Sequence, residues 1–302
     1  MRESDALDGF LDEFLSGNTS AAVEARIAEN QAAAVQEAID WVPPVGPELV
    51  EAPADKRLSK RTKVAAVSIL VLIPLTIILG MVGGYFGFTG SKRYMTMSLF
   101  ILFFSMMPFF MVFEGRKPQA RELIVLAVLI AIAVAGRAAF FMLPFFKPDI
   151  AVVIIAAVCL GPEAGFMVGA MQALTANMFF GQGLWTPWQM FASGIIGFLA
   201  GVLFKKGKLK ATKPKLCVFG FISAIFIYGF IMNTYVPLSI QQTTITWQTF
   251  IPYYVSGLPV DTVHAAATVF FLFVIAKPMI EKLERVKVKY GLIEMETRKK
   301  AK

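Results

Sequence analysis

Asn177, Gln182, Trp185, Trp188 and Gln189 fall within thirteen residues, where one apolar run ends and the next begins. Amides donate and accept hydrogen bonds, and indoles offer broad apolar faces. Together they can hold a solute by contact area and a few directed bonds. Part of the cluster is also what a membrane-interface anchor belt requires. Asn177 is harder to explain that way, since it lies inside the apolar run, where an unpaired amide is costly. Asn233 and Tyr253 add an amide and a phenol from later in the chain. Arg137 sits near the end of another apolar run. A charge within such a run marks function unless it snorkels to the headgroups. Asp149 and Asp261 are its expected partners by predicted depth.

Other chemistry is thinly represented. His264 is the sole histidine, and no metal-ligand spacing accompanies it. No phosphate-cradling loop, zinc-protease or nucleophile-elbow motif is present, so neither ATP hydrolysis nor a catalytic centre is expected. Cys159 and Cys217 lie within apolar runs and read as inert buried thiols. No cofactor, metal or nucleic-acid partner is expected.

The elements that must position these groups are membrane helices. Of the 302 residues, 57% are hydrophobic and 17% charged, and mean hydropathy is +0.65. Repeated apolar runs of about 20 residues satisfy their backbone groups internally, as lipid demands. Eight spans are expected, near 64–86, 94–113, 122–142, 146–160, 163–180, 187–204, 216–237 and 260–280. The net charge of +8 is unevenly spread: eleven acids oppose only Arg2 and Arg26 in residues 1–54, leaving a strongly basic remainder. A basic collar, Lys56 to Lys63, places the N-terminus in the cytoplasm, and the basic loop Lys205–Lys215 and C-terminal segment fall on the same side. The amide and aromatic cluster then faces outward, along with a long loop from Leu238 to Pro259. The expected divisions are an acidic cytosolic segment and linker at 1–62, a transmembrane hairpin at 63–113, a membrane domain at 114–285 and a basic tail at 286–302.

In the span from 122, Ala127, Ala131, Ala135 and Ala139 recur at intervals of four. Residues so spaced share one helical face, and small ones let another helix come close. Packing inside the protein and docking of a partner are both open on spacing alone. Gly165 and Gly169, and Gly197 and Gly201, repeat the device, with internal packing the expected use.

Several segments resemble one family. Ala135-Gly136-Arg137-Ala138-Ala139-Phe140, Phe146-Lys147-Pro148, Gly161-Pro162-Glu163-Ala164-Gly165 and above all Phe179-Phe180-Gly181-Gln182-Gly183-Leu184-Trp185-Thr186-Pro187-Trp188-Gln189-Met190 are similar to substrate-binding S components of energy-coupling factor (ECF) transporters. The resemblance covers about residues 120–282. It implies a six-helix all-α membrane bundle with both termini cytoplasmic in the plasma membrane, and an outward site for a small-molecule vitamin. It implies a transmembrane scaffold subunit and two cytosolic ATPase subunits as partners. It assigns the alanine face to the scaffold contact, and the Trp-Thr-Pro-Trp run leans toward cobalamin. The added hairpin and acidic tail depart from the family pattern. The competing reading is a non-transporting membrane scaffold or assembly protein that recruits partners through residues 1–54; an intramembrane enzyme comes third.

Overall fold

A computed structural model describes residues 91–115, 120–205, 209–239 and 246–289, together with Glu29, Ala33 and Gln36. The chain divides into two units, 1–41 and 42–302. In the first, the three described residues are helical and exposed. The expected acidic segment, the span at 64–86 and most of the basic tail lie outside the described residues.

Every regular element among the described residues of the second unit is helical. In chain order they are α1 (Ser91–Gly115), α2 (Ala120–Ala139), α3 (Asp149–Leu160), α4 (Pro162–Phe180), α5 (Thr186–Lys205), α6 (Lys213–Ser239) and α7 (Trp247–Lys289). Helices α1, α2, α5, α6 and α7 are each long and apolar enough to cross a membrane, which makes this a multi-pass membrane protein.

Helix α3 is the axis of the bundle. Its sequence, Asp-Ile-Ala-Val-Val-Ile-Ile-Ala-Ala-Val-Cys-Leu, is apolar all round, and every residue from Asp149 to Cys159 is buried. A helix without a polar face is covered either by protein or by lipid, and here protein covers it. Helices α2, α4, α5, α6 and α7 all pack against it. At twelve residues it is about 18 Å long, too short to cross a hydrocarbon core of about 30 Å by itself.

Helices α4 and α5 approach closely, because glycine lines both sides. A Cβ on Gly165 would lie 2.7 Å from the Gly197 carbonyl oxygen and 2.5 Å from the Ala157 Cβ. One on Gly169 would lie 2.6 Å from the Ser193 carbonyl carbon. The obstruction at Gly169 is backbone and cannot rotate away. Gly169→Val is therefore expected to destabilise the fold by about 1–3 kcal/mol, read as a lowered melting midpoint in detergent. An unchanged midpoint would show that the pair can separate freely.

The start of the last helix differs from the sequence expectation. The last helix begins at Trp247, so residues 247–259 are helix and the expected outer loop shrinks to the segment between Ser239 and Trp247. Pro252 and Pro259 fall in the expected loop and Pro278 in the expected span, and α7 runs through all three. Packed membrane helices tolerate proline because neighbouring groups take up the released carbonyls. Its 43 residues span about 64 Å. Helix α6 likewise carries Pro237, and it contains a π-helical stretch at Ala224–Gly229.

Helix α1 packs on α4 and α5. Phe109 stacks on Phe166 with ring centroids 4.0 Å apart and meets Phe198 edge-on at 5.0 Å.

Candidate functional site

The C-terminal end of α2, the loop after it, and the N-terminal ends of α3 and α5 meet the later half of α6 and the middle of α7 at one end of the bundle. Between them lies a cavity of about 320 Å³, lined by Arg137, Phe145, Lys147, Asp149, Trp185, Gln189, Tyr228, Met232, Asn233, Tyr235, Val236, Val260, Asp261 and His264. Such a volume stands at the lower end of the range, about 300–1,000 Å³, in which drug-sized ligands are enclosed.

One wall is fixed by the turn joining α4 to α5. Gly181, at φ 116°, ends α4 in a conformation that favours glycine, and its N–H donates to the Asn177 carbonyl at 2.9 Å. Pro187 then opens α5. A side-chain relay runs across this turn. Gln182 Nε2 donates to the Leu174 carbonyl (3.3 Å), Thr186 Oγ1 donates to Gln182 Oε1 (2.9 Å), and Asn177 Nδ2 donates both to Thr186 Oγ1 (3.0 Å) and to Gln189 Oε1 (2.7 Å). The Gly183 N–H also donates to Thr186 Oγ1, at 3.4 Å.

The direction of this relay is set by its ends. Leu174 offers a carbonyl, which can only accept, so Gln182 must present its NH₂ there and its oxygen to Thr186. Thr186 then spends its proton on Gln182 and accepts from Asn177. Asn177 therefore presents its NH₂ to Gln189, whose oxygen is thereby occupied. Gln189 Nε2 is left for the cavity and for the Tyr228 hydroxyl within its reach. One consequence is an unpartnered buried acceptor, Asn177 Oδ1, which costs about 1–3 kcal/mol.

The opposite wall joins α6 and α7. Asn233 Nδ2 donates to Asp261 Oδ2 at 2.7 Å. The approach is possible because Gly229 and Gly257 stand beside these groups; a Cβ on Gly229 would lie 2.5 Å from Asp261 Oδ2, and one on Gly257 2.7 Å from Asn233 Cγ. Asp149 Oδ1 accepts from the Ile150 N–H at 2.9 Å and lies 3.5 Å from His264 Nε2. The Tyr228 ring meets His264 edge-on at 4.8 Å. Tyr228 belongs to the π-helical stretch, a distortion that recurs at functional sites because it re-aims a side chain.

At the rim, the Arg137 guanidinium lies 5.7 Å from the Phe180 ring centroid. Asp149 and Asp261 are not its ion-pair partners: the first faces His264 and the second Asn233. In the adjoining loop, burial first and the Arg137 charge second hold the Lys147 ammonium below the usual lysine range. Phe145 stands at φ 60°, an unusual conformation for a bulky residue.

Arg137, Trp185, Gln189 and Asn233 thus line the cavity. Asn177 and Trp188 are buried one layer behind; Asn177 holds Gln189, and Trp188 packs against Tyr235 with centroids 5.8 Å apart. Gln182 is exposed on the turn, and Tyr253 is half-buried on α7 away from the lining. Of the lining residues on α6, the sequence did not single out Tyr228, Met232 and Val236, which share the helix with Tyr235. Their spacing of four, seven and eight puts them on one helical face, a signal hidden inside a uniformly apolar run.

Ala127, Ala131, Ala135 and Ala139 are all exposed, as are Ile124, Val128 and Ile132 beside them. Leu126, Leu129 and Ala133 form the buried face of α2.

Comparison with known proteins bears on the same region. Residues 117–285, more than half of the chain, match the sequence model of the family described as ECF-type riboflavin transporter, S component. A UPF0397 protein of Aliivibrio fischeri (strain MJ11) is 29% identical over 124 residues, which cover 37% of this chain and 67% of the relative. A second, from Aliivibrio salmonicida (strain LFI1238), is 33% identical over 89 residues, covering 28% of this chain and 48% of the relative. No solved structure matches the chain.

Proposed function

Because the chain belongs to the S-component family of ECF transporters, we propose that it is the membrane subunit that captures a vitamin-like solute from outside. It hands that solute to a transmembrane scaffold subunit driven by two separate ATPase subunits. The observation that carries this reading is the cavity at one end of the bundle. It is framed by aromatic side chains and by an amide, Gln189, whose orientation is set by three residues that do not touch the cavity. A hydrogen-bond network that rigid holds a lining group ready before the ligand arrives, which is how a site gains affinity.

The solute we propose is smaller than cobalamin, the substrate toward which the Trp-Thr-Pro-Trp run leans. A cavity of about 320 Å³ suits a compound of one to a few rings; a corrinoid would leave most of its macrocycle outside.

The distribution of lysines supports an outward-facing cavity. Lys205, Lys213 and Lys287 lie at the other end of the bundle, the end that positive charge marks as cytoplasmic. Single cysteines at positions 182 and 208, tested with a membrane-impermeant thiol reagent in intact cells, check this. Position 182 is expected to react from outside and position 208 only after permeabilisation. The reverse pattern would overturn both the topology and the outward site.

A further inference from the structure

We propose, on the reading that the cavity is the solute site, that its ligand carries a carboxylate or phosphate seated at Arg137 and Lys147, with a second acceptor facing the Gln189 amide. Arg137 and Lys147 both face the cavity, one from the end of α2 and one from the loop after it. Neither forms an ion pair among the described residues, although two carboxylates share the lining. Asp149 is engaged by the Ile150 N–H and by His264, and Asp261 by Asn233. Burial first, and repulsion by the Arg137 charge second, disfavour the charged form of Lys147. An anion between them would relieve that repulsion and gain charge-assisted hydrogen bonds. Arg137 also lies over the Phe180 ring, which favours one orientation of its planar fork.

Gln189 adds an independent constraint. Its oxygen is occupied by Asn177, and the relay behind Asn177 cannot reverse without setting Gln182 oxygen against the Leu174 carbonyl. Its contribution to a ligand is therefore a donor. Three donors, two of them cationic, thus converge on the cavity, and an anionic ligand would add to the Asp149 charge that already acts on both cations.

Matched pairs of compounds that differ by one negative charge test this: riboflavin and riboflavin 5′-phosphate, nicotinamide and nicotinate, pyridoxal and pyridoxal 5′-phosphate. Each is titrated calorimetrically into the full chain in phosphatidylcholine nanodiscs. At least one anionic member is expected to bind tenfold or more tightly than its neutral twin. Arg137→Gln is expected to remove that preference without moving the melting midpoint; Lys147→Gln serves if the first variant does not fold. Gln189→Glu, which replaces the donor by a charge, is expected to weaken the same anion by tenfold or more. The same anionic chemistry could come from a lipid headgroup. In that case phosphatidylglycerol nanodiscs would raise the melting midpoint of the wild type but not of Arg137→Gln, and would compete with the soluble anion. A neutral twin binding as tightly as its anion, or no binding by any of the six compounds and no response to phosphatidylglycerol, overturns the proposal. Neither result touches the transport reading if the chain still assembles with a scaffold subunit. Loss of that assembly would overturn the transport reading on its own.

Discussion

Ala131→Trp is expected to abolish solute uptake and co-purification with a transmembrane scaffold subunit, while the isolated chain keeps its affinity for solute. The argument rests on which way α2 faces. Leu129 and Ala133 are 1% and 0% exposed, whereas Ile124, Val128 and Ile132 are 63%, 51% and 44% exposed. The alanine ladder belongs to the exposed side, so among the described residues its small side chains serve no internal contact. Lipid needs no small residues, but close helix approach does. An indole at 131 would hold a docking helix away, at about 1–3 kcal/mol or more for forced overpacking. Helix α1 leaves this face uncovered, because it packs on α4 and α5 through Phe109 and Phe166. Uptake in cells supplied with scaffold and ATPase subunits, together with pull-down, gives the readout. Lost solute binding with retained assembly would assign the ladder to internal support instead.

Asn177→Ala is expected to weaken solute binding by roughly tenfold or more, although Asn177 does not touch the cavity. Removing its NH₂ releases Gln189 Oε1, so the Gln189 amide can turn and present either of its ends. A buried amide that must be re-oriented or left unpaired costs about 1–3 kcal/mol, and 1.4 kcal/mol is a factor of ten. Gln182→Ala should cost less, since Gln182 is exposed and lies two bonds further along the relay. The two variants are compared by calorimetry with the melting midpoint as a control. Equal losses at 177 and 182, or a loss at 177 explained by a fallen midpoint, would remove the positioning role.

Much of this arrangement was legible beforehand, for identifiable reasons. The Gly181–Gln189 turn combines glycine, proline, amide and indole in a few residues, and those types have few uses at the end of an apolar helix. Arg137 stood out because charge within an apolar run is costly. The α7 start was misplaced because Pro252 and Pro259 mimic a loop when the neighbouring helices that accommodate them are unseen. The α6 contribution was hidden because Tyr228 and Met232 read as ordinary members of an apolar span; Tyr228, within the π-helical stretch, meets His264 edge-on. The pairing of Asp149 with His264 joins residues more than a hundred positions apart, and periodicity carries no signal at that range. That α3 is central and α2 peripheral was not legible, because both are apolar and lipid covers such a helix as readily as protein does.

The central claim, that this chain alone holds a solute in the cavity at the Arg137 end, is tested most directly by what leaves it on denaturation. The chain is isolated from membranes without scaffold or ATPase subunits, washed, denatured, and the supernatant analysed by mass spectrometry. Trp185→Ala, which removes one aromatic wall of the cavity, is treated identically. The wild type is expected to release one small metabolite in near-stoichiometric amount, and Trp185→Ala far less of it. Release of no compound by a folded wild-type chain, or equal release by both proteins, would contradict the account.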